Sequence, residues 1–588
     1  GDSESGKSAR RIRGDLDTVV LKALRKDPKQ RYATAQAFAD DLKRYLAYEP
    51  IAAKPDAGWY RFGRFVRRHR LMAGATAVSI VAVVAGLSIA VWQRDLAQQQ
   101  ALRAATERGR AINELTYAEV INDFFSFLLS TGSDQPYTTA QLLARAEKLV
   151  ISQYPDDALL RARLQVTVAH EFMRLGDFER SEKLLDYATV ALESLPRKDL
   201  SLAALIDCTK GLLYAFDARQ SQSRKMLDAA IERLDAAPVD VASVLTYCLN
   251  SRGRLHYEQL DGASSQRDID RAIAIMGSPR PGQRPLLINL QERLASALAQ
   301  TGRHADAEQA HLTAIFALQK INREQSPQGA NLWNGLGTAR VLAGQWLAAR
   351  AAFEKSFRIS ESVQTQANLF IANNYAGALA ETGDYTQALA IFEPALARAI
   401  EKNEPASAAS LALRAGRAYC ESGQLKRCNV MIDLVSELLP RGYPADDYVF
   451  ASLELLKSMA ATLSGNSAEA LTHARKASTE FSVRGAPLIV RIRGAANLAT
   501  LAAAQGQMSE AREAIALLLL LKKQITMTVA ANSFLGETLL AEASVELADG
   551  HAYAAKPLLL LARDQLLNGS GAASLSARRA ERILQRLQ

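Results

Sequence analysis

Beyond residue 136 the chain alternates apolar helical stretches with short turns, and the alternation keeps a fixed beat. Turn glycines stand at Gly262, Gly302, Gly344, Gly383, Gly423, Gly465, Gly506 and Gly550, at steps of 39 to 44 residues. Gly176 lies far enough upstream to leave room for one repeat without a turn glycine, near Ala218. The segments LGDFERSEKLL, TGRHADAEQAH, AGQWLAARAAF, TGDYTQALAIF and QGQMSEAREAI each read as an apolar helix, a Gly turn and a second helix. Two helices can cross closely only where their facing residues are small. Seven positions before the glycine stand Ala169, Ala295, Gly337, Ala376, Gly416, Ser458, Ala499 and Ala543; five after it stand Ser181, Ala307, Ala349, Ala388, Cys428, Ala470, Ala511 and Ala555. This pattern predicts about nine to ten stacked helical hairpins over residues 136–588. The unit around Gly262 departs, with Leu255 and Arg267 at the two positions, and is expected to be distorted.

A different pattern occupies residues 71–92, LMAGATAVSIVAVVAGLSIAVW, where no charge interrupts the apolar run. At about 1.5 Å per residue it covers a hydrocarbon core of roughly 30 Å, and it is read as a transmembrane helix. Arg61, Arg64, Arg67, Arg68 and Arg70 crowd its N-terminal side, against Arg94 and Arg103 on the other. The richer flank stays cytoplasmic, so the repeats are expected outside the cytoplasm. Ala82, Gly86 and Ala90 form a small-residue stripe that would permit a homodimer. Residues 93–135 read as a membrane-proximal helix that ends in the apolar cluster Phe124, Phe125, Phe127, Leu128 and Leu129, a packing cap for the first repeat. Gly132 to Gln135 break it, and Thr138 or Thr139 can cap the helix that follows.

Composition narrows the class. Only 6% of the 588 residues are aromatic while Ala and Leu dominate, which points to an all-α fold. Much of the net charge of +9 sits before residue 71, beside the apolar span, where it suits an anionic membrane surface better than nucleic acid. A soluble nucleic-acid regulator is also disfavoured by the lack of a helix-turn-helix with a basic recognition helix. Four cysteines without C-x-x-C spacing give no metal site. Residues 1–8 satisfy G-x-x-x-x-G-K-S, but no strand precedes Gly1 and two acids occupy the loop, so a phosphate-binding role is rejected. The chain opens on Gly with no leader pattern before the span, and reads as an excerpt of a longer protein.

The first fifty residues include GDLDTVVLKALRKDPKQRYATAQAFADDLKRYL, two amphipathic helices divided at Asp27-Pro28, the second capped by Thr34. In the order of Leu24, Asp27, Pro28 and Arg31 the segment resembles the last two helices of the large lobe of bacterial serine/threonine protein kinases. The resemblance implies a lobe remnant over residues 1–50, a basic juxtamembrane linker over 51–70, and a location in the bacterial inner membrane. It also implies that Arg31 is a buried structural arginine paired with a glutamate of the activation segment. The Gly-rich loop, the strand lysine, the catalytic-loop Asp and the DFG-type Asp of a kinase do not occur in the chain. No cofactor is therefore expected here, ATP and magnesium belonging to an intact parent. The repeats resemble tetratricopeptide repeats, whose first helices line a concave groove for proteins or peptides. That resemblance puts Asn334, Arg340, Asn373 and Arg417 in the groove. By the repeat alignment Cys420 and Cys428 flank Gly423 closely enough for a disulfide, the alternative being two reduced, buried thiols. Two functions remain open: the C-terminal part of a membrane kinase whose external repeats sense or scaffold, or a membrane scaffold without enzymatic activity.

Overall fold

The computed structural model describes residues 14–54, 57–130, 138–196, 199–217, 219–237, 241–279, 281–364, 367–483, 486–525 and 532–587. The rejected phosphate motif at residues 1–8, the break at Gly132 to Gln135 and the turn at Ala218 lie outside them, as do the side chains of Phe125, Phe127 and Leu129. The described residues contain helices and no strands. The chain divides into two compact units at Ser130.

In the first unit the helices Asp15–Ala23 and Ala35–Leu46 flank a single 3-10 turn, Pro28–Gln30. Asp27 caps that turn by accepting from the Lys29 amide at 2.9 Å, and Thr34 caps the next helix by accepting from Ala37 at 3.1 Å. The stretch read as a linker is structured. Gly58–Arg68 is a helix, and its Tyr60 and Arg64 both hydrogen-bond to the buried carboxylate of Asp15. Lys54 reaches the same carboxylate at 3.1 Å, while Asp41 accepts from the amides of Ala52 and Ala53. A buried carboxylate must be satisfied, and two of them hold Ala52, Ala53, Lys54 and the Gly58–Arg68 helix against the first two helices. The glutamate that the resemblance pairs with Arg31 belongs to a segment this chain does not contain. Arg31 is exposed, and its Nε donates to the Arg25 carbonyl at 2.6 Å. The helix Arg70–Ser130 is continuous over 61 residues, joining the apolar span to the polar helix after it. By length and composition its part Arg70–Leu102, in which an 18-residue stretch reaches a mean hydropathy of 2.2, is able to cross a membrane.

The second unit opens with Thr139–Gln153, which Thr138 and Gln141 close with a reciprocal capping box. Ten helical hairpins follow among the described residues. Repeat 1 is Ala158–Arg174 with Phe178–Glu193; repeat 2, Leu200–Phe216 with Gln220–Asp235; repeat 3, Ala242–Glu258 with Gly262–Met276. Repeat 4 is Arg284–Gln300 with His304–Gln319; repeat 5, Pro327–Leu342 with Trp346–Gln364; repeat 6, Leu369–Glu381 with Tyr385–Glu401. Repeat 7 is Pro405–Glu421 with Leu425–Gly442; repeat 8, Val449–Ser464 with Ser467–Val483; repeat 9, Leu488–Ala504 with Met508–Lys522; repeat 10, Ser533–Ala548 with Ala552–Gly569. Leu575–Arg586 follows the last repeat.

The turn glycines take left-handed backbone, φ +75° at Gly344 and +87° at Gly383, which a residue with a Cβ adopts at a cost. Repeat 3 corrects the sequence register. Its left-handed residue is Leu260, φ +59°, whereas Gly262 opens the second helix. Counted from Leu260, the crossing positions are Gly253 and Ser265, and Ser265 Oγ donates to the Gly253 carbonyl at 2.8 Å. Repeat 2 crosses the same way, Ser223 Oγ donating to Gly211 at 2.6 Å. The distortion expected at Leu255 and Arg267 came from counting from Gly262 instead of Leu260.

Candidate functional site: the lumen of the closed repeats

Repeats 5 to 10 wind until their ends meet. The amide and hydroxyl of Ser533, in repeat 10, both donate to the carbonyl of Gly344, in the turn of repeat 5, at 3.0 and 2.8 Å. Contact this close requires that Gly344 carry no side chain, because a Cβ there would lie 2.5 Å from Asn532 Oδ1. The first helices face inward and enclose two adjoining cavities of about 400 and 500 Å³. The first is walled by Val341, Trp346, Leu455, Met459 and Ile489 and holds Glu381, Arg414, Arg417 and Arg493. The second shares Arg417, Arg493 and Glu421 with it and adds Asn497, Glu537 and Arg579.

An ion network spans the lumen. Arg493, from repeat 9, grips Glu381 of repeat 6 with both Nη atoms at 2.7 and 2.8 Å and reaches Glu537 of repeat 10 at 3.3 Å. Arg417 of repeat 7 donates to Glu381 at 2.8 Å and to Glu421 at 2.7 Å. Residues 112 positions apart are thus held face to face across the bore. Burial would raise the Glu381 carboxyl, but the Arg417 and Arg493 guanidiniums outweigh it and hold the group below the ordinary carboxylate range. At Glu421 burial prevails over Arg417, and the carboxyl is pushed up. Burying such a network gives little net stability, yet removing one member strands its partner, typically at about 3–5 kcal/mol. Its physical effect is to fix the spacing of the lumen walls.

Of the residues that sequence placed in the groove, Arg417 lines both cavities. The other three engage neighbouring repeats. Asn334 is buried and accepts from Asn374 at 3.0 Å, Asn373 donates to Ser410 at 2.9 Å, and Arg340 pairs with Glu308 at 2.8 Å. Cys420 and Cys428 are joined in a disulfide, Cα atoms 5.3 Å apart. A second disulfide, Cys208–Cys248 with Cα atoms 5.2 Å apart, staples the first helices of repeats 2 and 3. Sequence reasoning missed that bond, because the two cysteines lie 40 residues apart on helices of different repeats. It also missed Glu381, Arg414, Arg493 and Glu537. The available signal was an isolated arginine or glutamate on an otherwise apolar first helix, as in LIVRIRGAANLATLAAA, because such a charge needs a partner across a core.

The tetratricopeptide repeat family model matches residues 286–362. These repeats fit a protein-binding scaffold. No curated protein matches the chain. Among solved structures, the quorum sensor NprR in complex with its cognate peptide NprX is 14% identical, covering 61% of this chain and 97% of that one at a TM-score of 0.41. The apo form of NprR from B. thuringiensis is also 14% identical, covering 63% of this chain and all of that one at 0.43. The human IFIT1 dimer with m7Gppp-AAAA is 14% identical, covering 67% and 82% of the two chains at 0.38.

Proposed function

We propose that the chain is a single-span membrane protein whose repeats form an extracytoplasmic receptor for short peptide segments, held in the lumen of repeats 5 to 10. The observation that carries this reading is the lumen itself: two adjoining cavities lined by apolar side chains and by a few charged ones, spanned by the Arg493–Glu381 contact. Cavities of this size, mostly apolar with a few convergent polar groups, suit ligand binding. Membrane anchoring rests on the uncharged run of residues 71–92 and its arginine-rich flank. Two disulfides agree with an oxidising compartment for the repeats. The order Leu24, Asp27-Pro28 and Arg31 supports descent from a serine/threonine kinase lobe, in which case a longer parent would carry the phosphoryl transfer.

The test is retention of end-blocked random heptapeptides by the full chain in lipid nanodiscs. Ser452 lines the first cavity and Thr500 the second, both half-buried, so Ser452→Trp and Thr500→Trp fill the bore. Wild type should retain peptides. The two variants, at unchanged helical circular dichroism, should lose retention on the order of tenfold, equivalent to about 1.4 kcal/mol. No retention by wild type, or retention untouched in both variants, contradicts the reading.

A further inference from the structure

Resting on the lumen as a peptide site, the charges inside it narrow the kind of peptide. Arg414 leaves the middle of the Pro405–Glu421 helix and crosses the first cavity over Gly377, where a Cβ would lie 2.5 Å from its Nη1. That nitrogen donates to the backbone carbonyl of Asn373 at 3.3 Å. Among the described residues no carboxylate stands within ion-pairing distance of Arg414. Glu381 is engaged by Arg417 and Arg493, and Asp447, on the rim of the same cavity, turns its Oδ1 to the Val449 amide at 2.9 Å. The Arg414 side chain is exposed and lines the first cavity. Burial, reinforced by Arg417 and Arg493, outweighs the attraction of Glu381 and lowers its pKa, and the three guanidiniums of Arg414, Arg417 and Arg493 share the field of that one carboxylate. Arg579 in the adjoining cavity repeats the arrangement, with no carboxylate partner among the described residues and a pKa lowered by burial and by Arg582.

A guanidinium with donors left over and no carboxylate of its own gains charge-assisted hydrogen bonds from a carboxylate supplied by a ligand. We propose that Arg414, with Arg579 beyond it, receives the side-chain carboxylates of the bound peptide, so that the lumen selects short acidic segments with apolar flanks. The apolar side chains of the ligand would lie on Trp346, Leu455 and Met459. Blocking both peptide ends removes terminal carboxylates, so acid preference then reports Asp and Glu side chains alone.

The experiment sequences, by mass spectrometry, the end-blocked heptapeptides that the full chain in nanodiscs retains. Asp and Glu should be enriched over Asn and Gln on the order of tenfold. Arg414→Met should abolish the enrichment while peptides are still retained, Arg414→Lys should keep part of it, and Arg414→Glu should shift the retained pool toward Lys and Arg. Should Arg414→Met lose its helical circular dichroism, Arg579→Met is read by the same criterion. Retention by wild type without acid enrichment, or enrichment unchanged in the folded Met variants, overturns the inference and leaves the peptide site standing. Absence of any retained peptide removes the site and the inference together.

Discussion

At the scale of single residues, the solenoid places polar groups where their chemistry is constrained. His311, on the second helix of repeat 4, is packed against Gly335 so closely that a Cβ there would lie 2.4 Å from its Cε1. Its Nδ1 has no hydrogen-bond partner among the described residues, and burial lowers its pKa from 6.5 to about 4. A histidine with a folded pKa below its unfolded one is protonated first in the unfolded chain. Its contribution to stability is therefore full above about pH 6.5 and declines as pH falls toward about 4. By pH 5 the loss attributable to His311 is about 2 kcal/mol. Between pH 7 and 5 the urea midpoint of wild type should fall more than that of His311→Gln. Parallel declines would show that His311 is not the group responsible. His256 and His304, also lowered by burial, act in the same sense in both proteins and cancel from the comparison.

Sequence is a partial guide at this scale. Arg417 was legible as an inward charge, whereas Asn334 and Asn373, equivalent in the repeat, were assigned to the groove although they bond neighbouring helices. Repeat position tells which face of a helix a residue occupies. It does not tell whether the next repeat lies close enough to cover it.

Among the elements, crossing residues and turn geometry were readable because every hairpin meets the same steric demand. Repeat 3 is the informative failure, since its left-handed residue is Leu260 and a glycine two positions later attracted the count. The corrected register makes a sharp prediction. Ser265 is fully buried against Gly253, whereas Arg267 is exposed and donates to Ser264 Oγ at 2.8 Å. Ser265→Leu should overpack the crossing and cost about 1–3 kcal/mol or more, while Arg267→Ala should stay within about 0.5 kcal/mol in urea unfolding. The opposite order of costs would restore the register that counts from Gly262. Closure of the array was not readable from one repeat at a time, because the Ser533–Gly344 and Arg493–Glu381 contacts join residues 189 and 112 positions apart. Superhelical winding is a sum of small rotations, and local patterns do not contain that sum.

Taken whole, the molecule combines a basic, helical N-terminal unit that carries the apolar Arg70–Leu102 segment with a closed repeat domain whose bore is charged. The proposed receptor requires the residues before the apolar segment and the repeats after it to lie on opposite sides of a membrane, the arginine-rich flank being proposed as the cytoplasmic one. Reporter fusions test that requirement most directly. A reporter active only outside the cytoplasm, fused after residue 130, should be active in the full membrane context, and the same reporter fused after residue 50 should be silent. Activity after residue 50 with silence after residue 130 would put the lumen in the cytoplasm and contradict the account.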